Sequence, residues 1–232
     1  MRTYVGNLLV VLSVTSLCRA DITFLNTWGS LGSEEGQFNE PSGIAASPTG
    51  QVYVVDEANG RIQRFSNAGR YINSFGVIRP RDVAVSPTGD VYVVSRAAPI
   101  KFSSEGTWLK NLPNFFAIMN STFTVATSPQ AVYVALRRSG ESNIIVWTYA
   151  DTVSTGFSPT PSVPSGIAAS PTGDLYIQYA DEILRLSSEG AQINAWKWPS
   201  PFGLSPITVS PSGKVYVGNS SDDVVEWFQK RP

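Results

Sequence analysis

Acid–base and nucleophilic chemistry has few candidate residues in this chain, and that shortage is its most informative chemical feature. None of the 232 residues is histidine, and the single cysteine is Cys18. This composition excludes Ser-His and Cys-His nucleophilic sites and histidine-ligated zinc. We therefore expect a protein that binds rather than one that catalyses, and we assign no catalytic residue.

One polar motif has a spacing that suits a site. Asp56, Asn59 and Arg61 follow a strand-like run as Asp-x-x-Asn-x-Arg. A carboxylate at a strand end accepts backbone N–H groups, asparagine tolerates a left-handed turn, and arginine pairs with a carboxylate. The three residues therefore either fix a turn or contact a partner at a rim of the molecule. The structural role is favoured because the motif occurs once.

A divalent-cation site would need several converging oxygen ligands. Asp56, Asp82 and Asn219 are the candidate ligands, but they are scattered along the chain. We predict no metal and no other cofactor, with calcium as the alternative.

Basic and aromatic residues indicate where a partner would bind. Arg79, Arg81 and Arg96 are close in sequence, and with Asp82 they are expected at one rim. The expected partner is an acidic protein or a polysaccharide. A formal net charge of −1 without a basic block argues against nucleic acid. Trp198, in a Lys-Trp-Pro loop, is expected to be exposed. The other tryptophans are expected to pack in the core or between repeats: Trp28, Trp108, Trp147, Trp196 and Trp227.

Residues 1–20 have the pattern of a secretory signal peptide. Arg2 precedes an apolar run over residues 8–18, and Cys18 and Ala20 place small residues before an expected cleavage at Asp21. The run is too short to span a bilayer. We expect residues 21–232 to form one secreted or periplasmic domain without a membrane span. The oligomeric state does not follow from the sequence.

The elements that must position these residues recur with a fixed period. Ser-Pro pairs begin at residues 47, 86, 128, 170 and 210, so the steps are 39, 42, 42 and 40 residues. A period of this length is typical of a repeat architecture. Each repeat has the pattern of four short strands, with small residues such as Gly43 and Ala45 in the first. Small residues suit the crowded axis of a β-propeller.

Residues 28–45, with their continuation through Asp56, Asn59 and Arg61 to Gly76, resemble the NHL repeat. The resemblance is specific over this first repeat, moderate over repeats two, four and five, and weak over repeat three. It implies an all-β propeller whose rim loops bind partners. Repeats two to five lack the Asp-x-x-Asn-x-Arg turn, which sets them apart from the family pattern.

We predict five four-stranded blades, with six as the alternative. The ring is expected to close by pairing residues 22–29 with the last strand, over residues 224–230. The function expected from this fold is a non-catalytic binding or protein-interaction module. Two alternatives stay open: a calcium-dependent lactonase-like hydrolase or lyase, and a structural component of an envelope or matrix.

Overall fold

The computed structural model describes residues 28–112, 124–138, 141–148, 153–157, 164–179, 182–197, 207–210, 213–219 and 224–228. These residues form 19 β-strands in five antiparallel sheets, and no helix occurs among them. The described part of the chain thus contains no helix long and apolar enough to cross a membrane.

Each sheet is built from strands that follow one another along the chain, as in a propeller blade. Blade one comprises β1 (Pro41–Ala46), β2 (Val52–Asp56), β3 (Arg61–Phe65) and β4 (Tyr71–Gly76). Blade two comprises β5 (Pro80–Val85), β6 (Val91–Ser95), β7 (Pro99–Phe102) and β8 (Trp108–Asn111). Blade three comprises β9 (Thr124–Thr127), β10 (Ala131–Arg138), β11 (Glu141–Thr148) and β12 (Val153–Phe157). Blade four comprises β13 (Gly166–Ala169), β14 (Leu175–Gln178), β15 (Glu182–Leu186) and β16 (Gln192–Lys197). The fifth sheet has β17 (Ile207–Val209), β18 (Val215–Asn219) and β19 (Val224–Phe228).

The first strands of successive blades lie next to one another around a common axis. β1 contacts β5, β5 contacts β9, β9 contacts β13, and β13 contacts β17. Among the described strands, β19 pairs only with β18. The expected closing strand lies mostly outside the described residues, so ring closure and blade number stay predictions.

The core lies between neighbouring blades. Tyr53, Val55 and Ile62 of blade one pack against Val83 and Val93 of blade two, and all five are almost fully buried. Similar clusters join blade three to blade four and blade four to blade five. Each buried side chain of this size contributes about 1.5–3 kcal/mol to stability. The second strands therefore join the blades because they carry buried apolar residues on both faces: in β14, Leu175 and Ile177 pack towards blade three and Tyr176 towards blade five.

The repeated Ser-Pro-x-Gly sequence forms the turn between the first and second strands. In blade one the Gly50 N–H donates to Ser47 O at 2.9 Å, and the Ser47 Oγ accepts from the Gln51 N–H at 3.0 Å. Gly50 has a φ of 84°, which favours glycine. The same bonds recur at Ser86, Ser170 and Ser210. These four copies share the sequence because they make the same turn, whereas the third copy, Ser128-Pro129-Gln130-Ala131, has no glycine and makes a shorter turn in which the Ala131 N–H donates to Ser128 Oγ.

Candidate functional site

Asp56 is the centre of a buried hydrogen-bond network in blade one. Its side chain, at the end of β2, is 0% exposed. Its Oδ1 accepts from the Asn39 N–H at 2.7 Å, and its Oδ2 accepts from the Arg61 Nε–H at 2.7 Å. Asn59 Nδ2 lies 3.0 and 2.9 Å from the two carboxylate oxygens. Since these donors surround the carboxylate, it is out of reach of an external partner or metal.

The other residues of the motif hold the segment that precedes β1. Asn59 Nδ2 donates to Gly32 O at 2.9 Å, and Arg61 Nη2 donates to Glu34 O at 2.8 Å and to Gln37 O at 3.0 Å. The motif thus fastens residues 32–39 to blade one.

Gln63 belongs to the same network, although sequence reasoning did not identify it. Its Nε2 donates to Gln37 O at 2.5 Å and to Asp56 Oδ2 at 3.1 Å, and its Oε1 accepts from the Gly36 N–H at 2.9 Å. The available signal was its spacing from Arg61, because residues two apart in a strand lie on the same face.

The turn after Asp56 differs from the expected one. The loop between β2 and β3 has four residues, 57–60, and only Gly60 has a positive φ, at 64°. The Gly60 N–H donates to Glu57 O at 3.1 Å. Asn59 is therefore not left-handed. It is required for its side-chain amide, which bridges Asp56 and Gly32.

An open cavity of about 670 Å³ lies where the first strands of the blades begin. We call it the axial cavity. It is lined by residues from all five sheets or the loops that enter them: Pro41, Ser42, Gly43, Ile44, Val54, Arg81, Asp82, Val83, Thr124, Val125, Ser165, Gly166, Ile167 and Ile207.

Asp82 is the sole carboxylate among these lining residues. Its Oδ2 accepts from Thr124 Oγ1 at 2.8 Å and from the Val125 N–H at 3.0 Å, and its Oδ1 accepts from the Val83 N–H at 2.9 Å. Burial raises the pKa of Asp82 above its ordinary value, although these hydrogen bonds act in the opposite direction. A Cβ on Gly43 would lie 2.8 Å from Asp82 Oδ1, so the glycine makes room for the carboxylate.

Three arginines lie on the face that contains the cavity mouth, which we call the mouth face. Arg81 is 34% exposed, and its Nη1 lies 3.2 Å from Glu57 Oε1. Arg79 and Arg96 are exposed, and the Arg96 N–H donates to Arg79 O at 3.1 Å. Arg79 has a φ of 49°, a left-handed conformation that costs a non-glycine residue about 1–2 kcal/mol. Ile78 beside it is 79% exposed.

The remaining candidates are not brought to this site by the described residues. Trp198 lies outside them, and Asn219 is described only as the last residue of β18. No group of three or more histidine, cysteine, aspartate or glutamate residues suited to a metal occurs in the part of the chain that the structure describes. The expectation that Trp108 is packed is wrong: it is 59% exposed, because β8 is the outer edge strand of blade two.

A family model described as the NHL repeat matches residues 38–65. Protein brain tumor of Drosophila melanogaster is 44% identical over 55 residues, which are 24% of this chain and 5% of that protein. The match thus spans a small part of the relative.

Two solved structures show the fold. The nidogen/laminin complex matches with a TM-score of 0.63 and 15% identity, over 81% of this chain and 74% of that chain. A catalytically inactive virginiamycin B lyase from Staphylococcus aureus, a histidine-to-alanine variant solved with quinupristin, matches with a TM-score of 0.61 and 18% identity, over 82% and 69% of the two chains. Together with the bladed sheets, these likenesses show a β-propeller fold, and residues 38–65 of the chain match the NHL repeat.

Proposed function

We propose that this chain is a secreted, non-catalytic propeller that binds a protein partner through its mouth face. The observation that carries the proposal is the open axial cavity, with Ile78, Arg79 and Arg96 exposed on the same face. Arginine is among the residue types that are enriched at protein interfaces and at their hot spots. One structural relative, nidogen with laminin, is solved as a complex.

The composition of the cavity supports binding without catalysis. Among the described residues Asp82 is the sole carboxylate lining it, and the chain contains no histidine to act with it as an acid–base partner. The lyase with this fold is described as inactive when a histidine is replaced by alanine. The present sequence has no histidine that would supply such a group.

The test compares variants of two faces of the propeller. The purified protein is immobilised and exposed to the extracellular fluid of its source, and the retained proteins are identified. The double variant Arg79→Glu, Arg96→Glu reverses charge on the mouth face. The control Arg70→Glu reverses the charge of an exposed arginine in the turn before β4, at the opposite end of blade one.

We expect a partner retained by the wild type and by the control variant, and released by the double variant. Equal retention by all three proteins would contradict the proposed face. The secreted state has a separate test: N-terminal sequencing of the exported protein is expected to begin at Asp21, and retention inside the cell would contradict it.

A further inference from the structure

The carboxylate of Asp82 has no cationic partner among the described residues. All of its described bonds come from uncharged donors, the hydroxyl of Thr124 and the backbone N–H groups of Val83 and Val125. The neighbouring Arg81 directs its guanidinium to Glu57 instead. An ionised carboxylate that is partly removed from water without a counter-ion is unfavourable. The Asp82 carboxylate therefore marks a place where a cation would bind more favourably than at a carboxylate on the open surface.

The walls around Asp82 are largely apolar. Ile44, Val54, Ile167 and Ile207 line the cavity, and Ile44 is 66% exposed although it lies on a first strand. The cavity volume of about 670 Å³ lies within the range of about 300–1,000 Å³ that is usual for small-molecule sites. The lining also contains Arg81, whose guanidinium is ion-paired with Glu57, so Asp82 is the charged lining residue that a bound cation would neutralise. Apolar walls with few charged groups suit a ligand with an apolar body and one charged end.

We propose that the axial cavity binds a primary ammonium group carried on an alkyl chain, with Asp82 as its counter-ion. The alkyl chain contacts the isoleucine-lined walls, and the ammonium group lies at the carboxylate. A metal ion does not fit this site as well, because a hard cation needs several oxygen ligands and Asp82 is the sole carboxylate among the lining residues that the structure describes. Burial raises the pKa of Asp82, and a bound ammonium group would oppose this effect by favouring the ionised form.

Free alkylamines and lysine side chains share this chemistry. The cavity opens on the mouth face proposed above, but Arg79 and Arg96 do not line it. The double variant Arg79→Glu, Arg96→Glu is therefore expected to retain amine binding. This separates a failure of one proposal from a failure of the other.

The test is calorimetric titration of the intact protein with n-hexylammonium and, in parallel, with 1-hexanol. We expect the amine to bind the wild type at least about tenfold more tightly than the alcohol, because the two differ in the charge that Asp82 recognises. This comparison uses only the wild-type protein and does not depend on the folding of a variant. Equal affinity for the two probes would overturn the proposal.

Two variants locate the site. Asp82→Asn is expected to weaken binding of the amine by about tenfold or more, since it removes the charge and keeps the shape. Asp90→Asn is the matched control, because Asp90 is ion-paired with Lys101 at 2.9 Å and does not line the cavity. Unchanged amine binding by Asp82→Asn, in a protein that unfolds cooperatively, would also overturn the proposal.

A second pair of probes identifies the source of the ammonium group. N-acetyl-lysine methylamide presents the group as a lysine side chain, and its Nε-acetylated form removes the charge. Binding of the charged form together with hexylammonium supports recognition of a protein lysine. Binding of hexylammonium alone supports a free amine as the ligand.

Discussion

Replacement of Asp56 by alanine tests whether the signature motif is structural. The substitution removes a fully buried carboxylate that accepts hydrogen bonds from Asn39, Asn59, Arg61 and Gln63. A hydrogen bond to a charged group contributes about 1.5–3 kcal/mol. If the four hydrogen bonds were independent, their loss would lower the free energy of unfolding by about 6–12 kcal/mol.

The expected loss is smaller, because the donors keep other acceptors. Asn59 still reaches Gly32 O, Arg61 still reaches Glu34 O and Gln37 O, and the Arg61 side chain is 17% exposed to water. Breaking a buried ion pair by removing one member costs about 3–5 kcal/mol, and we expect a value in this range. For a chain of this size, the loss corresponds to a fall in Tm of roughly 6–20 °C.

The assay is equilibrium unfolding in urea, followed by circular dichroism and by tryptophan fluorescence. Asp174→Ala is the matched control. Asp174 also pairs with an arginine, Arg185, but both side chains keep contact with solvent, so a loss of about 1 kcal/mol is expected. A loss for Asp56→Ala no greater than that for Asp174→Ala would refute the structural interpretation of the motif.

Three further substitutions test packing, titration and buried polarity. Gly106→Ala is expected to lose about 1–3 kcal/mol more stability than Gly89→Ala, because both glycines have φ near 90° but only at Gly106 would the new Cβ clash with the ring of Phe75. Equal losses in urea unfolding would contradict this. Since burial raises the pKa of Asp82 in the folded state, its ionisation costs stability as pH rises above about 4, the ordinary carboxyl value. The difference in unfolding free energy between the wild type and Asp82→Asn should therefore fall from pH 4 towards neutrality. A difference that stays constant with pH would refute the raised pKa of Asp82. Gln178 is fully buried, and neither of its amide atoms has a hydrogen-bond partner among the described residues. Gln178→Leu should therefore raise the free energy of unfolding by about 1 kcal/mol, whereas Gln63→Leu should lower it because Gln63 is hydrogen-bonded. A loss of stability in Gln178→Leu would contradict the view that the Gln178 amide is unsatisfied.

The blades could be predicted from the sequence because local chemistry determines them. Each Ser-Pro-x-Gly turn needs a serine hydroxyl and a glycine at fixed positions, and four of the five copies have both, the exception being Ser128-Pro129-Gln130-Ala131. Ser42, Arg81 and Ser165 lie at equivalent positions in their repeats, and all three line the axial cavity. The position of a residue within its repeat therefore indicates whether it lies beside the axis.

The long-range polar contacts could not be predicted in the same way. Gln63 bonds Gly36 and Gln37 across 26 or 27 residues, and no local pattern shows which loop will lie over which strand. Trp108 was misjudged because its place in a fourth strand resembled that of a packed residue. The outer strand of a blade has only one neighbour, so its side chains are covered only where a loop or another blade contacts them.

The differences between the repeats, rather than their similarity, locate the candidate site. At the turns the architecture requires the same residues in nearly every copy, and such positions carry little information about a ligand. At equivalent positions beside the axial cavity the chain instead has Gly43, Asp82, Thr124 and Gly166. Gly43 leaves space for Asp82, and Thr124 donates a hydrogen bond to it, so residues of blades one, two and three together position the Asp82 carboxylate. A symmetric scaffold that places one unpaired charge off its axis can orient a ligand, and Asp82 is the residue on which that orientation depends.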